Sequence, residues 1–254
     1  MRWSDISRKI ELLDNLLQRF ERSIRQIVEQ YPDSDLYLKI LGLNEWTSED
    51  LESLIRKIHG TRHHRNHRDE RTYVANLLLG WIVQDFVETL LTQKGYKCRK
   101  TGGDAQRELL QGKQISEEPD IQIIVPSGQV WKMDIVADYP TQRGAASFWE
   151  EKKRCHLRDS KFQRLVKERE NGYRAGLIGV SVGTSKYFGL ELTSNLLEQL
   201  NNPPARGRLI NRRETHWAYG GKPAIELNLR LLGVQFRDLS EFPEGLPFTQ
   251  QGTR

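Results

Sequence analysis

The chain is 254 residues long, 37% hydrophobic and 29% charged, with a formal net charge of +5. It is too rich in Leu, Ile, Val and aromatic residues to be disordered and long enough to bury a sizeable core, which suits one elaborated domain or one domain with a helical appendage. Cys98 and Cys155 are its two cysteines, which excludes a disulfide framework and the four-ligand zinc pattern.

The basic balance, with an isoelectric point near 9.2, favours an anionic partner, of which nucleic acid is the commonest. The opening residues MRWSDISRKIELL carry charges where a signal peptide needs an apolar core, and no apolar run approaches the ~20 residues of a membrane span. The expectation is a soluble cytoplasmic protein with no membrane partner.

From Ser4 to Tyr31 the apolar residues Ile6, Ile10, Leu13, Leu17, Phe20, Ile24 and Ile27 step by three and four, which predicts an amphipathic helix ended by Pro32. TSEDLESLIRKIHG predicts a second, with Thr47 or Ser48 as N-cap and Gly60 as its stop. Thr61 to Arg71, TRHHRNHRDER, is a basic break suited to phosphate contact; its His63 and His67 have helical metal spacing but no evident third ligand. Residues 1–70 therefore read as a helical N-terminal region for dimerisation or for clasping DNA, and 71–254 as the core with a C-terminal elaboration.

Within the core, Tyr73 to Gln93 predicts a long apolar helix closed by Gly95, which should pack on a sheet. YKCRKTGGD follows as a short strand and turn. Asp120 to Val125, Pro126 to Gly128 and Gln129 to Tyr139 form a hairpin in outline. RDSKFQRLVKERENGY predicts an amphipathic helix with Phe162, Leu165 and Val166 inward, and AGLIGVSV a buried strand. Beyond these, TSNLLEQL predicts a helix, NNPPARGR a loop and PAIELNLRLLGVQF a strand or helix-strand mixture. The last dozen residues read as a tail or docking segment. Arg206 to Gly221 is a basic, aromatic-bearing stretch suited to phosphate or base contact.

The chemistry sits on the predicted strands, where Asp120, Asp134, Asp138, Glu150, Glu151, Lys152 and Lys153 cluster. So many ionisable groups on strand ends are costly unless they meet water, one another or a cation. If Ser147 to Arg154, SFWEEKKR, is a strand, alternation gives an acid and a lysine two residues apart on one face, as Glu150/Lys152 or as Glu151/Lys153. The other reading is one continuous helix through AASFWEEKKRCHLRDSKFQRLVKEREN, with Glu150 and Lys153 as a surface pair. Against it stands RDS at 158–160, where Asp159 or Ser160 looks like a fresh N-cap.

Helix, strand with an acid, strand with Glu-x-Lys, helix and buried strand together resemble the PD-(D/E)xK nuclease superfamily, which includes many type II restriction endonucleases. The resemblance covers residues 73–182. It implies an α/β fold, a restriction-endonuclease-like mixed sheet flanked by helices, here with a helical N-terminal part. It also implies Mg²⁺ as cofactor and double-stranded DNA as partner, with a possible homodimer acting on a symmetric site.

Two alignments carry the motif onto this chain. One takes Pro119-Asp120 as the first acid and Asp134-Ile135-Val136 as the second half-motif, which leaves valine in the lysine position and needs a migrated lysine. The preferred one takes Asp134 as the metal-binding aspartate and Glu150-Glu151-Lys152 as Glu-x-Lys, with Asp120 as an extra carboxylate. On that alignment Asp134 and Glu150 hold the metal and Lys152 orients or activates water for in-line attack, leaving a 5′-phosphate and a 3′-hydroxyl. Gln84 and Glu88, where some relatives carry an acid on the central helix, read as polar residues at its edge. The expected function is a Mg²⁺-dependent, sequence-specific DNA endonuclease. The alternatives are a non-catalytic DNA-binding or assembly protein on the same fold and a repair or transposon nuclease.

Overall fold

The computed structural model describes residues 80, 83–84, 86–102, 118–138, 148–181, 184, 186–201, 209–216 and 222–249. The predicted N-terminal helices, the His63/His67 segment and the 1–70 region lie outside the described residues, as does much of the basic stretch between Arg206 and Gly221.

Apolar spacing makes the first described helix, α1, with residues 80, 83–84 and 86–93 helical. Val83, Phe86, Val87, Leu90 and Leu91 recur at three and four and are all buried. Gly95 ends it at φ 85°, a left-handed conformation that suits a residue without a Cβ. The chain then enters β1 (Lys97–Lys100), β2 (Ile121–Ile124) and β3 (Val130–Asp138), an antiparallel run in which Gly128, at φ 83°, turns the β2–β3 hairpin.

The SFWEEKKR segment departs from the strand expectation. Phe148–Lys152 is a short helix, α2, followed by β4 (Arg154–Arg158) and then α3 (Asp159–Glu170). Glu150 and Glu151 in its first turn and Lys152 in its last complement the helix dipole. Lys153 stops it at φ 52°, and Asp138 Oδ2 accepts the Trp149 N–H at 3.3 Å. The continuous-helix reading is also overturned, because β4 interrupts it. A fresh helix does begin where RDS placed it, with Arg158 as the N-cap residue.

α3 crosses over to β5 (Arg174–Ser181), which pairs with β3 in parallel, Asp134 opposite Leu177. β6 (Lys186–Glu191) pairs antiparallel with β5, and after α4 (Ser194–Asn201) come β7 (Ile210–His216), β8 (Lys222–Asn228), β9 (Arg237–Asp238) and a 3₁₀ turn at Leu239–Glu241. The described strands form a six-stranded mixed sheet in the order β1-β2-β3-β5-β6-β9 and a three-stranded sheet in the order β4-β8-β7. The fold is mixed α/β, a mixed sheet flanked by helices, as the resemblance implied.

Alternation along β3 and β5 divides the core between the two faces of the large sheet. Trp131, Met133, Ile135, Ile178 and Val180 pack with α1 and with Leu239, Phe242, Leu246 and Phe248. The C-terminal segment through Phe248 therefore docks on the core. On the other face Leu177 and Phe188 meet Phe162 and Leu165 of α3 and Cys155, Leu157, Ile225 and Leu227 of the small sheet. The even-numbered residues of β3, Asp134 among them, share this second face. Among the described residues no helix is long and apolar enough to cross a membrane.

Candidate active site

The entry to β2 is fixed before any charged side chain is considered. Thr101 Oγ1 donates to the Pro119 carbonyl at 2.6 Å, and the backbone N–H groups of Thr101 and Gly102 donate to the Asp120 carbonyl at 3.2 and 3.3 Å. The exit of β1 thus pins the Pro119-Asp120 corner against the sheet. A Cβ at Gly102 would meet Asp120 Cα at 3.0 Å and its Oδ1 at 3.1 Å, so a residue without a side chain is needed there.

Pairing of β2 with β3 then brings Asp120 and Asp134 together. The Asp120 N–H donates to Asp134 Oδ1 at 3.2 Å, and the Ile135 N–H donates to Asp120 Oδ2 at 2.9 Å. The second face of the sheet aims both carboxyl groups at the first turns of α3, where Lys161 and Arg164 stand three residues apart on one side of the helix. Lys161 Nζ lies 3.0 Å from Asp120 Oδ2 and 3.7 Å from Asp134 Oδ1, so one ammonium group bridges both acids. Arg164 Nη2 reaches Asp134 Oδ1 at 3.3 Å.

Asp134 is wholly buried, and its Oδ2 has no hydrogen-bond partner among the described residues. Burial pushes its carboxyl up to about 6; Lys161 pulls down, Asp120 pushes up, and Arg164 and the Asp120 N–H pull down. A buried carboxylate with one oxygen unsatisfied is costly unless something further comes to it.

Glu150 belongs to a different place. α2 is anchored at Asp138, four residues beyond Asp134 on β3, a distance of about 13 Å at roughly 3.3 Å per residue. There Glu150 accepts from Lys186 Nζ at 2.9 Å and from the Thr184 hydroxyl. Burial alone would raise its carboxyl, but these hydrogen bonds and the Lys186 and Lys153 charges outweigh it and hold Glu150 below the usual range. On a helix, residues two apart are turned by about 200°, so Glu150 and Lys152 do not share a face, and Lys152 is exposed. The strand alternation expected of Glu150/Lys152 and of Glu151/Lys153 is therefore absent, since Phe148–Lys152 is a helix. Glu151 is exposed, and Lys153 lies over the Phe236 ring at 5.2 Å.

Of the predicted site residues, then, Asp120 and Asp134 meet, while Glu150 pairs with Lys186 and Thr184. Lys161 and Arg164 were missed. Their signal was the valine at the lysine position, which demands a cation from elsewhere, together with i, i+3 spacing at the start of the next helix. Gln84 is buried on α1, its Oε1 without a hydrogen-bond partner among the described residues, and Glu88 pairs with Lys100 at 3.1 Å.

Among the described residues no group of three or more His, Cys, Asp or Glu side chains comes together. A pair of carboxylates still suits Mg²⁺, which keeps several waters and is commonly held by one or two acids plus substrate phosphate. Asp120 and Asp134 fit such an ion: two carboxylates already share one cation, and Asp134 Oδ2 is unsatisfied.

No protein-family model matches the chain, and no curated protein matches it. Among solved structures it is similar to Hjc, a Holliday junction resolvase from Archaeoglobus fulgidus, at 11% identity and a TM-score of 0.34, over 63% of this chain and 94% of that one.

Proposed function

We propose that the chain is a Mg²⁺-dependent DNA endonuclease of the PD-(D/E)xK type, with Asp120, Asp134 and Lys161 as its site. The observation that carries this reading is the convergence of the Pro119-Asp120 corner and Asp134 on one ammonium group from α3. It favours the alignment in which the lysine has migrated, Lys161 standing in for the valine position of Asp134-Ile135-Val136. The order of the first helix, the β1-β2-β3 run and, after α2 and β4, α3 crossing to β5 supports the same reading.

Asp120 and Asp134 would hold the cation, which when bound supplies positive charge to the scissile phosphate. The protein's own groups supply the rest. Lys161 reaches both acids and is set to hold the attacking water or a phosphate oxygen through its N–H groups. Lys161 and Arg164 oppose the rise that burial imposes on the Asp134 carboxyl, and the Pro119-Asp120 corner, β3 and α3 fix the four groups. A restriction role and a homodimer that cuts both strands belong to the same proposal.

A second reading, a DNA-binding protein without catalysis, draws on the charge balance of the cluster. Two acids face two cations, so Lys161 and Arg164 neutralise the site without a metal.

Plasmid and genomic DNA incubated with Mg²⁺, with EDTA, and with Asp120→Asn, Asp134→Asn and Lys161→Ala variants distinguish the two. Cleavage lost in EDTA and in all three variants, but retained in Glu150→Ala and Lys152→Ala, is the expected result. Cleavage that survives Asp134→Asn and disappears in Glu150→Ala would move the site to α2. DNA that binds but stays intact across divalent ions would favour the second reading.

A further inference from the structure

The small sheet turns one face to the core, and on the other, where Ala224 and Glu226 are themselves buried, the arginine side chains are exposed. Cys155, Leu157, Ile225 and Leu227 point into the core. Alternation then turns Arg154, His156 and Arg158 of β4 outward, opposite Asn228, Glu226 and Ala224 of β8. Arg213 of β7 joins them across β8.

Glu226 is the hub. Its carboxylate is met by Arg154 Nη1 at 3.4 Å, His156 Nε2 at 3.0 Å and Arg213 Nε at 2.9 Å. Burial alone would raise the Glu226 carboxyl, but hydrogen bonds from His156 and Arg213 and the charges of Arg213 and Arg154 hold it below the usual range. The cations around it remain in solvent: the Arg154 side chain is 49% exposed and that of Arg213 41%, and Arg158 is exposed.

A structural ion-pair face would balance its charges. Here three arginines face one glutamate among the described residues, so the face keeps an excess of two positive charges. One carboxylate cannot use every N–H of two guanidinium groups, so each retains donors for another anion while its orientation is already set. Such fixed arginines lose less conformational entropy on binding phosphate. Arg154 and Arg158 stand four residues apart on one strand face, about 13 Å, so they can meet different phosphates of one backbone. The face also adjoins the carboxylate site, since Arg158 is the N-cap of the helix that carries Lys161.

We infer that the outward face of β4, β8 and β7 is a docking surface for DNA backbone phosphates, with Arg154, Arg158 and Arg213 as the contacts and Glu226 as the residue that positions Arg154 and Arg213. The inference rests on the DNA endonuclease reading for its ligand and is separate from that reading's chemistry.

Binding of the full chain to a labelled duplex in EDTA, followed by anisotropy through a salt series, tests it without cleavage. The variants are Arg158→Gln, which leaves Glu226 its partners, and Arg154→Gln/Arg213→Gln, with thermal unfolding run on each. For every arginine removed, the slope of log K against log salt should shrink by about 0.9, and binding at about 0.15 M salt should weaken about fivefold. Folded variants, Arg158→Gln above all, with the wild-type slope and affinity overturn the inference, as does a wild-type chain that binds no DNA. Variants that bind DNA normally but lose a polyglutamate ligand would assign the face to an acidic protein and also overturn it. Reduced slopes in a protein that never cleaves DNA would uphold this surface while removing the nuclease reading.

Discussion

Replacing Asp134 with Asn tests the electrostatics of the carboxylate site directly. Asp134 is held at about 6 against an ordinary value of 3.8, and each tenfold difference in proton affinity is worth about 1.4 kcal/mol. The folded state therefore holds this proton more tightly than the unfolded chain. Between roughly pH 4 and pH 6 it carries more of the proton, so stability must fall as pH rises through that window. Once Asp134 is ionised in both states, at pH 7, the accumulated loss is about 3 kcal/mol. Asparagine cannot titrate, so the variant should lack this slope. Urea unfolding of both proteins from about pH 4 to pH 7 measures it, the expected result being a stability difference that moves in the variant's favour by about 3 kcal/mol. A difference that stays flat across the window, or moves the other way, would refute the account of Asp134 as a carboxylate strained by burial. Added Mg²⁺ should stabilise the wild type at pH 7 and leave the variant nearly unchanged, because a ligand stabilises only the state that binds it.

Lys161→Ala leaves the Asp120–Asp134 pair with Arg164 alone; it should destabilise the fold by about 2–4 kcal/mol, read by urea unfolding, and abolish cleavage. Gly102→Ala forces a Cβ against Asp120 Cα at 3.0 Å and should weaken Mg²⁺ binding in calorimetry more than it lowers thermal stability. Phe162→Ala, at a wholly buried position where α3 packs on the sheet, should cost about 3–5 kcal/mol. Because α3 also carries Lys161, the same substitution should reduce cleavage at temperatures well below unfolding.

The β2–β3 hairpin was legible because alternation and the Pro-Ser-Gly turn are local signals, and so was α3, whose inward residues Phe162 and Leu165 are buried as the spacing predicted. SFWEEKKR was not legible. Its composition suits a charged helix, while its position after an acidic strand suits another strand, and the choice was made by Trp149. That side chain is buried against Phe188, with ring centroids 5.5 Å apart, and the Trp149 backbone N–H donates to Asp138. Neither contact can be read from neighbouring residues.

The sequence by itself determined the mixed α/β class, the β2–β3 hairpin with its two aspartates and α3, because periodicity and turn residues act over a few residues. Which cation joins those aspartates was decided only in three dimensions. Lys161 lies 41 residues from Asp120, on a helix whose placement depends on the parallel pairing of β3 with β5 and on a core shared with the small sheet. Separation along the chain carries no record of that packing, so the charged pair adjacent in sequence, Glu150 and Lys152, stood out while the pair adjacent in space did not.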